Sequence, residues 1–119
     1  MRPQIIHCLL AGLVACLSIG FAKESGSPVP PDKIASLEAA LNASSDQSSN
    51  ARKRLSVKRV IRDGDKLLAA HSAAPNRFEV LGHLFRDHQQ LYGLDDSSRN
   101  RLALVEISKE LVKAPNEYA

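Results

Sequence analysis

Beyond residue 22 the chain has three histidines, His71, His83 and His88, and two of them lie close together with an aspartate between them. His83 and His88 are five residues apart, so on a helix they point in different directions and cannot chelate one metal as an i, i+4 pair would. Asp87 is four residues from His83 and shares its helical face, a spacing that permits a histidine–carboxylate contact. No third ligand is in view, and a surface hydrogen bond or ion pair accounts for the pair. His71 follows the last turn of a predicted helix, where partial positive charge is favoured. Ser, His and Asp all occur, yet the chain has no Gly-x-Ser-x-Gly elbow, no phosphate-binding glycine loop and no metal-spaced cluster. The two cysteines, Cys8 and Cys16, both lie in the first 22 residues, which leaves no Cys-x-x-Cys and no disulfide beyond them. No catalytic, cofactor-binding or metal-ligating residue is assigned, no cofactor is expected, and no reaction is identified.

The elements that would position these side chains read as helices throughout. Ile34, Leu37 and Leu41 recur at helical spacing, with Ala35, Ala39 and Ala40 between them, and predict a first helix over 31–43. The polar, serine-rich stretch 44–50 reads as a loop that offers caps for a second helix. In that helix Val57, Val60, Ile61, Leu67 and Leu68 share a face with Gly64, whose small size could let another helix approach closely. Arg52, Arg59 and Lys66 recur every seven residues on the other side, as a solvated charged face does. The third helix is framed by Asn76 as N-cap, Glu79 as its capping-box partner and Gly93 as its stop, with Phe78, Leu81, Leu84, Phe85 and Leu91 as the apolar stripe. Phe85 is expected at the centre of the core. Asp95-Asp96-Ser97-Ser98 opens a fourth helix whose buried side is expected to hold Leu104, Ile107, Leu111 and Val112, with Lys109 and Lys113 near its C-terminal end. No stretch alternates as a strand would, and the fold class expected is all-α.

The N-terminal stretch stands apart from these helices. Arg2 supplies a short positive region, and Ile5 to Ile19 is mostly apolar but too short for a comfortable membrane span, so residues 1–22 read as a secretory signal. Gly20 and Ala22 place small residues where a signal peptidase inspects them, which favours cleavage before Lys23 and a periplasmic or extracellular product. The alternative is a lipoprotein anchored through Cys16, because Leu13-Val14-Ala15-Cys16 fits a lipobox, although the apolar run continues past the cysteine. Residues 23–31, with Pro28, Pro30 and Pro31, form a linker, and 32–119 the helical region. Without residues 1–22 the formal charge falls from +3 to +2, too small an excess to argue for nucleic acid, and Trp is absent, so no aromatic stacking platform is formed.

Ala74-Pro75-Asn76-Arg77-Phe78 is echoed by Ala114-Pro115-Asn116-Glu117-Tyr118, a spacing typical of arrays built from helix pairs, and it suggests that a further repeat follows. Phe78-x-x-Leu81-Gly82-x-x-Phe85 resembles the first half of the tetratricopeptide pattern, and Ala103-x-x-x-Ile107 with Pro115 its second half. Tyr92 to Ser98 lengthens the turn, Ile107 replaces an aromatic, and Glu38 stands where the first pair should have Gly. The resemblance implies two antiparallel helical hairpins opening an α-solenoid; an unrelated hairpin array is the other reading. The runs Arg59-Val60-Ile61-Arg62-Asp63, Lys66 to His71, Ala74 to Phe78 and Leu94-Asp95-Asp96-Ser97 look like the helical region that precedes the thioredoxin-like domain in some secreted bacterial redoxin proteins. That resemblance implies a thiol–disulfide oxidoreductase whose catalytic part lies outside this chain. The expected role of the helices is a non-catalytic scaffold or interaction region, and the expected partner is a protein, a peptide or an adjacent domain, with no nucleic acid and no membrane unless Cys16 is lipidated. The alternative is a free-standing secreted or lipid-anchored protein that binds a peptide or envelope partner.

Overall fold

The structure, a computed structural model, describes residues 26–115. The signal, both cysteines, the Ala22–Lys23 site and Asn116-Glu117-Tyr118 lie outside the described residues. Among the described residues four helices follow one another: α1 (Pro31–Ser45), α2 (Asn50–Ala70), α3 (Arg77–Leu94) and α4 (Ser98–Leu111). The described residues form no strand, so this part of the chain is all-α.

Local chemistry sets the ends of the helices. Pro31 starts α1, where its fixed φ suits the first turn and its missing N–H costs nothing. Ser49 caps α2, its Oγ accepting from the Arg52 amide at 3.2 Å, and Ser97 caps α4 in the same way, accepting from the Asn100 amide at 3.3 Å. The start of α3 departs from the expected capping box. Asn76 makes no cap bond; instead its Oδ1 accepts from Val29 N at 2.8 Å and its Nδ2 donates to Val29 O at 3.1 Å. Both bonds hold one residue of the stretch read as linker, and Val29 is 1% exposed in the core. Satisfying two backbone groups of a buried extended residue outweighs one cap bond to a half-exposed helix end.

Gly93 does not stop α3 either, for the helix runs through it to Leu94 and no described residue has positive φ. The stop is Asp95, whose backbone turns extended (φ −153°). Its carbonyl accepts from the Asn100 side chain at 2.9 Å, so the end of α3 and the start of α4 share one hydrogen bond.

The core gathers on α3, which packs against each of the other three helices. Val80 and Leu84 are fully buried among Val29, Leu37, Val60 and Ala74, with Ile34, Leu41, Ile61, Leu67, Leu68 and Ile107 packed around them. Gly64 is the notch that lets α2 and α3 close: a Cβ built there would lie 2.7 Å from Leu84 Cδ2. At the far end, Gln90 Nε2 donates to Ser44 and Ser45 and so ties α3 to the last turn of α1.

Two expected core positions are corrected. Phe85 is only half buried, because the inward line of α3 runs through Val80, Leu84, Asp87 and Leu91 and carries Phe85 to the flank. Val112 is 83% exposed, lying just past the last turn of α4 rather than on its buried side. The charged face of α2 is as expected, with Arg52, Arg59 and Lys66 exposed.

Leu84→Ala should therefore cost about 3 kcal/mol or more and Phe85→Ala clearly less, as read from urea melts. Gly64→Val should destabilise by overpacking against Leu84, and the pair Gly64→Val with Leu84→Ala should lose less than the two single losses together. Strict additivity would mean that the two side chains do not meet.

Candidate functional site

The helix ends described above frame a cavity of about 410 Å³ where α2, α3 and the start of α4 converge. Lys58 and Ile61 reach it from α2, His88 and Leu91 from α3, Asp95 and Ser97 from the turn, and Arg99, Asn100 and Ala103 from α4. Its volume suits a small molecule or one large side chain.

The cavity brings a serine, a histidine and an aspartate into one place, but not into a relay. Ser97 Oγ is occupied as the helix cap, and none of Ser97, His88 and Asp95 hydrogen-bonds another through its side chain. His88 is held toward its neutral form by burial, an effect that the negative charge of Asp65 opposes. Among the described residues no nucleophile is hydrogen-bonded to His88, so the cavity holds no assembled nucleophile–base pair. Among the described residues no group of three or more His, Cys, Asp or Glu side chains could hold a metal.

His83 and Asp87 are placed differently from the surface contact their spacing suggested. Both are buried, His83 at 9% exposure and Asp87 at 1%. His83 Nδ1 lies 3.0 Å from Arg86, whose guanidinium can only donate; the ring therefore accepts, and its proton sits on Nε2. Burial first, and then Arg86, hold its pKa below the ordinary histidine value against the pull of Glu38 and Glu79. Asp87 makes no hydrogen bond or ion pair with His83, and its Oδ2 is buried without a hydrogen-bond partner. Desolvation pushes its pKa up to about 7; Arg86 pulls it down and Asp65 pushes it further up. Such a carboxyl would suit an acid–base catalyst, but Asp87 does not line the cavity and its burial shuts it away from any substrate.

The feature that the sequence analysis missed is on the opposite side of α4. Leu102 is 62% exposed and Val105 44%, and Val112 continues their line. No apolar residue of α4 is fully buried; Leu104, Ile107 and Leu111 are half covered, and the one buried side chain is the polar Asn100. The helix thus carries two apolar faces, one half-closed against α3 and one open. The signal was legible in principle, as Leu102, Val105 and Val112 at intervals of three and seven beside the stripe of Leu104, Ile107 and Leu111. No described helix is long and apolar enough to cross a membrane.

The pH dependence of stability should follow Asp87. Its folded-state pKa of about 7 exceeds the ordinary 3.8, so the folded chain holds a proton that the unfolded chain releases. The contribution of Asp87 is full below about pH 4, falls by roughly 1 kcal/mol per pH unit as pH rises toward 7, and is level above that. The buried His83 and His88, with lowered pKa values, act in the opposite sense as pH falls. Asp87→Asn cannot ionise, so it should abolish this slope and raise the urea midpoint relative to the wild type at about pH 8 but not at about pH 4. An unchanged slope would place the ionisation elsewhere.

No protein-family model, no curated protein and no solved structure matches this chain, and its function is therefore read from the geometry of its own residues.

Proposed function

We propose that this chain is a non-catalytic helical interaction region of an exported protein, and that it acts through the outer face of α4. The observation that carries the reading is the open apolar line of Leu102, Val105 and Val112, on a helix whose inner face is already packed against α3. Exposed apolar side chains aligned on one helix cost solubility and are retained where a partner covers them. A helix or extended segment laid along that line would bury them, and the charged residues beside them would form its polar rim.

On this reading the helices form two successive antiparallel hairpins, which the packing of α1 on α2 and of α3 on α4 supports. The tetratricopeptide spacing gains less support. Gly82 of that pattern has nothing within 4 Å of an added Cβ, and the close helix contact falls on Gly64 instead. Export by the signal at 1–22, and a thioredoxin-like domain as the neighbour, belong to the same proposal and rest on the sequence patterns and the resemblance alone. In that arrangement the partner is an adjacent domain or a separate protein, and the helices contribute docking rather than chemistry.

A photo-crosslinking residue at Leu102, introduced in the cells that produce the protein, should yield a defined adduct, whereas the same residue at the exposed Arg62 of α2 should yield none. Absence of any adduct from both Leu102 and Val105 would remove the interaction surface. Truncation of Leu102 to Asp should abolish the Val105 adduct while leaving the helical circular dichroism unchanged, because an exposed substitution away from caps and core changes stability little.

A further inference from the structure

Resting on that reading of α4, we propose that the occupant of its open face is a second copy of this chain, with the two α4 helices packed side by side and running in opposite directions. The spacing of the open line is the first argument. Leu102, Val105, Lys109 and Val112 follow one another at intervals of three, four and three, the seam spacing by which two helices pack along their length. Leu102 and Val105, its first two residues, are exposed, and Lys109 is held at the surface by its 2.9 Å ion pair with Glu106.

Charge decides the partner and its direction. At 100° per residue Arg99, Glu106 and Glu110 fall on one flank of the line, on the side nearer the cavity that Arg99 also borders. That flank is positive at Arg99 near the start of α4 and offers the carboxylate of Glu106 further along, while Glu110 beyond it is held by Lys113 at 3.0 Å. It is therefore complementary to itself only when reversed, so that Arg99 of one copy meets Glu106 of the other and the contact is made twice across a two-fold axis. Two copies running in the same direction would not bring these flanks together, because the flank of one then meets the opposite side of the other.

The groups involved are free to make the exchange. Arg99 is exposed and has no ion pair among the described residues. Among the described residues Glu106 is bound only to Lys109, with both side chains about 60% exposed, and such surface pairs are readily traded. Lys109 falls opposite the exposed Ser98 of the other copy in the register that pairs Leu102 with Val105, so its charged end keeps a route to water. One short helix from each copy gives a contact smaller than that of an obligate dimer, and the pairing should depend on concentration.

Sedimentation equilibrium of the purified chain and its charge variants tests this. The wild type should show a reversible monomer–dimer equilibrium. Arg99→Glu and Glu106→Arg, each alone, should raise the dissociation constant by roughly tenfold or more, since each turns two attractive contacts into two repulsive ones. Mixing the two single variants should restore dimers as mixed species, and the double variant Arg99→Glu with Glu106→Arg should dimerise as the wild type does. Circular dichroism of the monomeric variants shows whether they stay folded.

A wild type that remains monomeric at every attainable concentration, or single variants that fail to pair when mixed, would overturn the proposal. The crosslink from Leu102 separates this failure from that of the underlying reading. An adduct of twice the chain's mass supports the second copy; an adduct with a different protein overturns self-pairing and keeps α4 as a docking face; and no adduct overturns both.

Discussion

The close approach of α2 to α3 at Gly64 is the contact on which the rest of the arrangement depends. Leu84 sits in the space that any larger residue at 64 would take, and from that point α3 can touch α1, α2 and α4 at once. A helix interior has a local reason to avoid glycine, which costs about 1 kcal/mol against alanine, so its use here is offset by packing that alanine could not allow without displacing Leu84. Val60, Val80 and Leu84 then form the centre onto which the other apolar side chains close. Val29, brought in by Asn76, seals one side of it.

The same interface carries its own liability. Asp87 lies one turn beyond Leu84 on the inward line of α3, and the side chain is buried with one oxygen unpaired. An ionised carboxylate in that position would be costly, so the group keeps its proton into the neutral range. The cavity stops short of Asp87, and His88 stands on its wall. Asp87 thus bears on the stability of the fold, while the exposed apolar side chains lie on α4. That helix is joined to the others by one shared hydrogen bond at its start and by half-covered apolar side chains along its inner face, which leaves its outer face free to be covered by something else.

Much of the helical framework was legible in the sequence, and the reason is local. Apolar spacing in α2, the serines ahead of α2 and α4, Pro31 at the start of α1 and the absence of any strand pattern act over a turn or two, and the structure agrees with each of them. Gly64 was legible as a place where a helix could come close, because its position on the apolar face said so before its neighbour was known. Of the candidate site less could be read. His83 and Asp87 shared a face, as their spacing required, but whether that face met water or another helix was not a property of their own segment.

What the sequence by itself determined is the number and type of the elements, since capping, proline geometry and helical periodicity are settled between residues a few positions apart. Tertiary structure decided which way the faces of α3 and α4 turned. A charged residue interrupted the inward line of α3, so the periodicity pointed to Phe85 when packing had chosen Asp87, and Asn76 gave up its local cap to bind a backbone 47 residues away. The open face of α4 arose likewise, for this helix with two apolar faces packs mainly against α3 among the described residues, and the placement of α3 shows which of the two is left uncovered. Short-range bonds fix a helix before its partners are known; burial is fixed by whichever surfaces, distant in the chain, come to exclude water together.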